Sequence, residues 1–110
     1  MRIHGLTVRG AIDQETRCIH YHSDLDRVAI KFYCCERYFP CIQCHAEYGC
    51  GEKAVWPRDK FNEKAILCGN CGEALTINNY LNGKDQCPMC MANFNPGCSL
   101  HAHFYFEIEN

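Results

Sequence analysis

Three Cys-x-x-Cys pairs, histidines set beside cysteines, and short alternating apolar runs in place of long helical periodicity predict the fold class. It is a small metal-stabilised domain, mostly β hairpins and zinc knuckles with little helix, its several metal sites interleaved along the chain. At 110 residues the chain is one domain by length. Leu, Ile and Val are few, so the core is thin, while 11 positions are cysteine. That composition is expected of a scaffold held by staples.

The staples read as metal sites rather than disulfides. The opening Met1-Arg2-Ile3-His4-Gly5-Leu6-Thr7 has no apolar run of signal-peptide length. The cysteine count is odd, which leaves a thiol over in any complete disulfide scheme. The pairs have ligand spacing, and in a reducing compartment such pairs are more often ligands than bridges. No stretch is long and apolar enough to be read as a membrane span. The formal charge of -2 gives no basic footprint for nucleic acid.

Along the chain, residues 1–16 read as an extended lead-in, with His4 its one possible donor. Cys18-Ile19-His20-Tyr21-His22 is the first donor cluster. Val28, Ile30 and Phe32 alternate on one face of a strand that runs into Cys34-Cys35. Cys41-Ile42-Gln43-Cys44-His45, preceded by Pro40, reads as a tight knuckle, and Cys50 follows between Gly49 and Gly51. The charged run Arg58 to Lys64, with Phe61 inside it, is a solvated connection. It divides an N-terminal lobe of about 1–57 from a C-terminal lobe of about 65–110. Ala65-Ile66-Leu67 is a strand, Cys68-Gly69-Asn70-Cys71-Gly72 a knuckle, Ala74 to Ile77 a returning strand and Asn78 to Asn82 a turn or single helical turn. Cys87-Pro88-Met89-Cys90 is the next knuckle. In the tail, Ala102, Phe104, Phe106 and Ile108 alternate with polar neighbours and predict a closing strand. Tyr21, Tyr33, Trp56, Phe104 and Phe106 read as core aromatics.

Tetrahedral zinc takes four Cys or His donors, and a Cys-x-x-Cys turn supplies half of them. Cys41/Cys44, Cys68/Cys71 and Cys87/Cys90 are three such halves. With Cys18, His20, Cys34, Cys35, His45 and Cys50 they make twelve donors, enough for about three Zn2+ ions. Neighbours on a strand point to opposite faces, so Cys34 and Cys35 are expected to serve different metals, as are Cys44 and His45. Cys18 and His20 share a face. Cys98 is left over; it is expected to be a buried thiol, the alternative being a fourth site with His101 and His103, His4 or His22 nearby. His22 is expected at the surface or behind a ligand. His45-Ala46-Glu47 and Pro40 to Cys44 contain both halves of the zinc deaminase signature. They abut in reverse order and lack its scaffold, so that reading is rejected.

From Cys18-Ile19-His20-Tyr21 onward the chain resembles the CHY-type zinc finger family. The resemblance runs through Cys34-Cys35, Cys41-Ile42-Gln43-Cys44-His45, Trp56-Pro57, Cys68-Gly69-Asn70-Cys71, Cys87-Pro88-Met89-Cys90 and Phe94-Asn95-Pro96-Gly97-Cys98. It is similar to the short stand-alone bacterial and fungal members. One of these is a helper of the mitochondrial intermembrane space acting on cysteine-rich import proteins; related domains precede RING domains in ubiquitin ligases. The resemblance implies three ligand sets. One is Cys18, His20, Cys41 and Cys44; another Cys34, His45, Cys68 and Cys71. The last is Cys35, Cys87 and Cys90 with a histidine where this chain has Gly51, a place Cys50 is expected to fill.

The expected function is a zinc-binding module that docks a protein partner or helps its assembly, and not an enzyme, because closed structural sites leave no open coordination position. The alternative is a thiol-redox or zinc-transfer helper acting on cysteine-rich proteins. No membrane or nucleic-acid partner is expected. The expected location is cytoplasmic, or the mitochondrial intermembrane space if the chain follows the fungal helpers.

Overall fold

In the computed structural model the described residues are 1–52, 54–83, 85–95 and 102–108. The centre is a four-stranded antiparallel sheet in the order β4-β3-β5-β6. Its strands are β3 (Val28–Lys31), β4 (Tyr38–Phe39), β5 (Lys64–Cys68) and β6 (Ala74–Thr76). The register pairs Val28 with Cys68, Ala29 with Leu67 and Ile30 with Ile66. The strands before and after the 58–64 connection therefore form one sheet.

The predicted alternation holds, and both faces of the sheet are covered. Val28, Ile30, Phe32, Ile66 and Cys68 point into the main core. Ala29 and Leu67 point to the other side, where Ile3 and Val8 meet them. The lead-in is thus not merely extended. It forms a hairpin, β1 (Arg2–Ile3) with β2 (Leu6–Thr7), around His4 and Gly5. Both turn residues have positive φ, 51° and 85°, the turn type whose twist matches a two-residue hairpin. Strand β5 is covered on both faces, Ile66 on one and Leu67 on the other, which is why it reads as a continuous apolar run.

Among the described residues two short helices complete the frame, α1 (Ile42–Tyr48) and α2 (Ile77–Leu81). The segment expected to be a knuckle after Pro40 is instead α1. Cys41 caps it, its Sγ accepting from the Cys44 N–H at 3.4 Å. The Ile42 N–H, an orphan donor of the first turn, is taken by the Tyr105 hydroxyl at 3.1 Å. At the other end the Gly49 N–H bonds the His45 carbonyl. Thr76 caps α2 in the ordinary way, accepting from the Asn79 N–H at 3.0 Å.

Two other expectations change. The tail is a 3-10 turn (Ala102–Phe104) and not a strand. The Tyr105 and Phe106 N–H groups both return to the Ala102 carbonyl, so residues three and four apart go inward. Ala102, Tyr105 and Phe106 are buried, while Phe104 is 42% exposed and Ile108 38%. The charged connection contains a 3-10 turn (Arg58–Lys60) and is not wholly solvated. Phe61 is buried edge-on to Phe106, with ring centres 6.1 Å apart. Trp56 is buried as expected, and its indole N–H donates to the Lys31 carbonyl at 2.7 Å; Tyr33 is largely exposed. Gly69 follows β5 so closely beneath residues 15 and 27 that a Cβ would strike the Glu15 carbonyl. Its N–H donates to the Arg27 carbonyl at 2.7 Å.

Candidate metal centres

All twelve predicted donors converge, in three tetrads whose ligand atoms lie within 4.8 Å of one another. Cys18, His20, Cys41 and Cys44 form the first. Cys34, Cys35, His45 and Cys50 form the middle one, and Cys68, Cys71, Cys87 and Cys90 the last. Zinc at about 2.3 Å from sulfur and about 2.05 Å from nitrogen sets tetrahedral edges of about 3.8 Å between sulfurs and about 3.5 Å from sulfur to nitrogen. In the first tetrad Cys18 Sγ is 3.7 Å from Cys41 Sγ, and His20 Nδ1 is 3.5 Å from both Cys41 and Cys44 Sγ. In the last, Cys68 to Cys90 and Cys71 to Cys87 are each 3.8 Å. The middle tetrad is less regular. His45 Nε2 stands 3.2, 3.8 and 3.6 Å from Cys34, Cys35 and Cys50, and Cys50 Sγ is 3.3 Å from Cys34 Sγ.

The first set agrees with the one the resemblance implies; the other two are partitioned differently. As strand neighbours Cys34 and Cys35 are expected to serve separate metals, but β3 stops at Lys31. They lie in a turn that closes with the Glu36 N–H on the Phe32 carbonyl at 2.7 Å, Glu36 having φ 54°. A turn has no two-residue alternation, so both sulfurs reach one cluster. Cys50 joins them there and not Cys87 and Cys90. The two C-terminal knuckles then face each other. Cys44 and His45 do serve different tetrads, because consecutive helix positions point about 100° apart.

The C-terminal knuckles are near copies. In each, the leading cysteine's N–H reaches five residues on, Cys68 to the Glu73 carbonyl and Cys87 to the Ala92 carbonyl. Its own carbonyl accepts from the residue four on, Gly72 or Met91, at 2.9 Å. Both of those residues have positive φ, 82° and 67°.

Thiol acidity tests whether a cation fits. In the first tetrad a hydrogen bond from Cys41 brings Cys18 down to about 5. Cys41 is pushed far up by that same bond and by burial, and Cys44 rises to about 12 through burial and the charge on Cys18. Burial and the neighbouring Cys50 raise Cys34 to about 12. Burial raises Cys68 as well. Against its own burial, Cys90 falls to about 6 on hydrogen bonds from the Asn70 side chain and the Ala92 backbone. Sulfurs packed this closely resist joint ionisation, and a divalent cation removes the conflict by taking the thiolates as ligands. Burial lowers His45, which keeps its imidazole in the neutral form a metal needs. The ring stacks on Phe32 with centres 4.2 Å apart and planes 2° from parallel. The donors fit zinc.

Residues behind the donors were less visible in the sequence. Glu47 accepts from His20 Nε2 at 2.9 Å, the carboxylate–histidine pairing that orients ligating imidazoles. Its place three residues after Cys44 on one helix face was the available signal. Asn70 Nδ2 donates to Cys90 Sγ at 3.4 Å. His4 Nε2 is 3.2 Å from the Gly69 carbonyl. His22 is exposed. Cys98 and His101 lie outside the described residues. Among the described residues no helix is long and apolar enough to cross a membrane.

Several fungal proteins resemble this chain along most of its length. An uncharacterised protein of Schizosaccharomyces pombe is 41% identical over 96 residues, 87% of this chain and 84% of its own. Helper of Tim protein 13 of Saccharomyces cerevisiae is 39% identical over 108 residues, covering 96% of this chain and 90% of the yeast protein. The protein of the same name from Kluyveromyces lactis is 38% identical over 102 residues, 90% and 86% of the two chains. No solved structure matches significantly. The family model described as CHY zinc finger matches residues 18–96. With its three Cys/His clusters suited to zinc, this chain belongs to the CHY zinc finger family.

Proposed function

We propose that this protein is a non-enzymatic assembly helper for cysteine-rich proteins, its binding surface held in shape by three zinc ions. The ligands are Cys18, His20, Cys41 and Cys44; Cys34, Cys35, His45 and Cys50; and Cys68, Cys71, Cys87 and Cys90. The carrying observation is the set of donor distances in the first and last tetrads, 3.5 to 3.8 Å, which are the edges of closed tetrahedral zinc shells. Bound zinc would neutralise and fix the thiolates. The chain's own part is to orient them, through Glu47 on His20, Asn70 on Cys90 and the Phe32 stack on His45.

The helper role is supported by the names of the two yeast relatives, each aligned along most of both chains. The same likeness supports the mitochondrial intermembrane space over the cytoplasm as the working location. Ten thiolates and three zinc ions take the formal charge from -2 to about -6, an anionic surface that favours a protein partner over nucleic acid. The test is elemental analysis with native mass spectrometry, followed by affinity capture on the zinc-loaded protein. Three zinc ions per chain and zinc-dependent retention of cysteine-rich polypeptides are expected. Fewer ions would undo the ligand assignment, and no such retention would undo the helper role.

A further inference from the structure

The tetrads differ in how easily one ligand can leave. In the first and last, the sulfurs sit in elements that cannot move alone. Cys18, Cys41, Cys44, Cys68 and Cys87 are all buried. Cys41 caps α1, and Cys68 ends the central strand. In the middle tetrad Cys34 and Cys35 share a closed turn, and His45 is clamped against Phe32. Cys71 in the last tetrad is exposed too, but its knuckle is closed by the Gly72 N–H on the Cys68 carbonyl at 2.9 Å. Cys50 differs in its backbone. It is exposed, lies beyond the end of α1, and is followed by Gly51 at φ 81°, around which even an added Cβ would meet nothing within 4 Å. Rotation about that short loop moves the Cys50 sulfur without disturbing a packed residue.

An open groove of about 590 Å³ adjoins the same cluster, lined by Phe32, His45, Ala46, Gly51, Val55 and Phe104 among others. His45 is shared between groove and tetrad. A side chain entering the groove therefore arrives beside the metal ligands, and beside the ligand that is freest to go.

We propose that the middle tetrad is the exchangeable zinc site, with Cys50 the ligand that yields to a thiol of a cysteine-bearing polypeptide. This rests on the reading above that the tetrads hold zinc. In the exchange, the bond from the Cys50 sulfur to zinc breaks as the incoming sulfur forms its own, and the incoming thiol's proton passes to the Cys50 thiolate. One zinc–sulfur bond replaces another, no electrons change hands, and no oxidant is needed. Repeated at Cys34 and Cys35, and completed when a fourth incoming thiol displaces the His45 nitrogen and gives its proton to solvent, the same substitution passes the ion to two Cys-x-x-Cys pairs, while α1 stays anchored through Cys41 and Cys44. Exposed thiolates are the reactive ones, and buried structural thiols are inert.

The test uses the full zinc-loaded chain and an excess of a synthetic peptide with one Cys-x-x-Cys pair. Native mass spectrometry follows the zinc, and N-ethylmaleimide labelling locates the freed thiols, with Cys98 scored separately. One of three zinc ions is expected to leave first, with label appearing on Cys50, Cys34 and Cys35 while the other seven tetrad cysteines stay protected. Cys50→Ser should hold two zinc ions, keep its fold, and have none to give in the time the parent gives one. The proposal is overturned if label starts in another tetrad, if the ions leave together, if none transfers, or if Cys50→Ser transfers like the parent. A starting protein with fewer than three zinc ions overturns the underlying site assignment as well. Three ions with the wrong cysteines labelled overturns the exchange proposal alone.

Discussion

The last and middle tetrads offer four donors each, yet they are built on different principles. Cys68, Cys71, Cys87 and Cys90 come from two knuckles with the same backbone bonds, one launched from the end of β5. Cys34, Cys35, His45 and Cys50 come from a turn, a helix and a loop, and their spacings scatter from 3.2 to 3.8 Å. Donor count alone does not make two sites equal; what differs is how much backbone must reorganise to open each.

Stripping all metal is the harshest way to erase that difference. Structural zinc contributes about 10–16 kcal/mol apparent in finger peptides, against about 5–15 kcal/mol for a whole domain. Excess strong chelator should therefore abolish folding, seen as loss of NMR chemical-shift dispersion; an unchanged spectrum would contradict the metal-held core. Next in size, Cys68→Ser should cost more than about 4 kcal/mol in denaturant melts, the range associated with losing a metal or a buried network. Cys50→Ser should cost about 1–3 kcal/mol by the same measure, nearer the ordinary run of substitutions. The reverse order would mean that the middle tetrad, not the last, holds the sheet together.

Smaller effects sharpen the picture. Glu47→Gln weakens the hydrogen bond behind His20, and zinc at the first tetrad should bind about 10–100-fold less tightly in a chelator competition. Unchanged affinity would mean that Glu47 is only a surface partner. Met91 occupies the left-handed position that Gly72 fills in the twin knuckle. Such a conformation costs a side-chain-bearing residue about 1–2 kcal/mol, and glycine returns part of that through unfolded-state entropy. Met91→Gly should gain about 0.5–1 kcal/mol in thermal or denaturant melts. A loss would show that the Met91 side chain contributes packing that outweighs its strain.

The sequence disclosed donors better than partitions. Val28, Ile30 and Phe32 announced their strand through a period of two, and the Cys-x-x-Cys spacing announced the knuckles. Helix α1 was hidden because Cys41 and Cys44 resemble a knuckle, and only a cysteine cap with Ala46 and Glu47 behind it hinted otherwise. The grouping of Cys34 with Cys35 depended on where β3 ends, and strand ends are poorly marked in sequence. Alternation in the tail was real in composition. It lost to the Ala102 carbonyl, which draws both following N–H groups into a tight turn. The hairpin around Gly5 was missed because Ile3 and Val8 stand alone among polar neighbours, with no periodic run to join.

Helix α1 supplies Cys44 to one cluster and His45 to the next. Seven residues are too few to hold a helix in water unaided, so its ordering entropy is shared between two binding events. Whichever ion arrives first bears that ordering, and the second finds the scaffold already in place, which is positive cooperativity between neighbouring clusters. The C-terminal pair of knuckles, tied to β5 rather than to α1, stands outside that linkage and should fill on its own schedule.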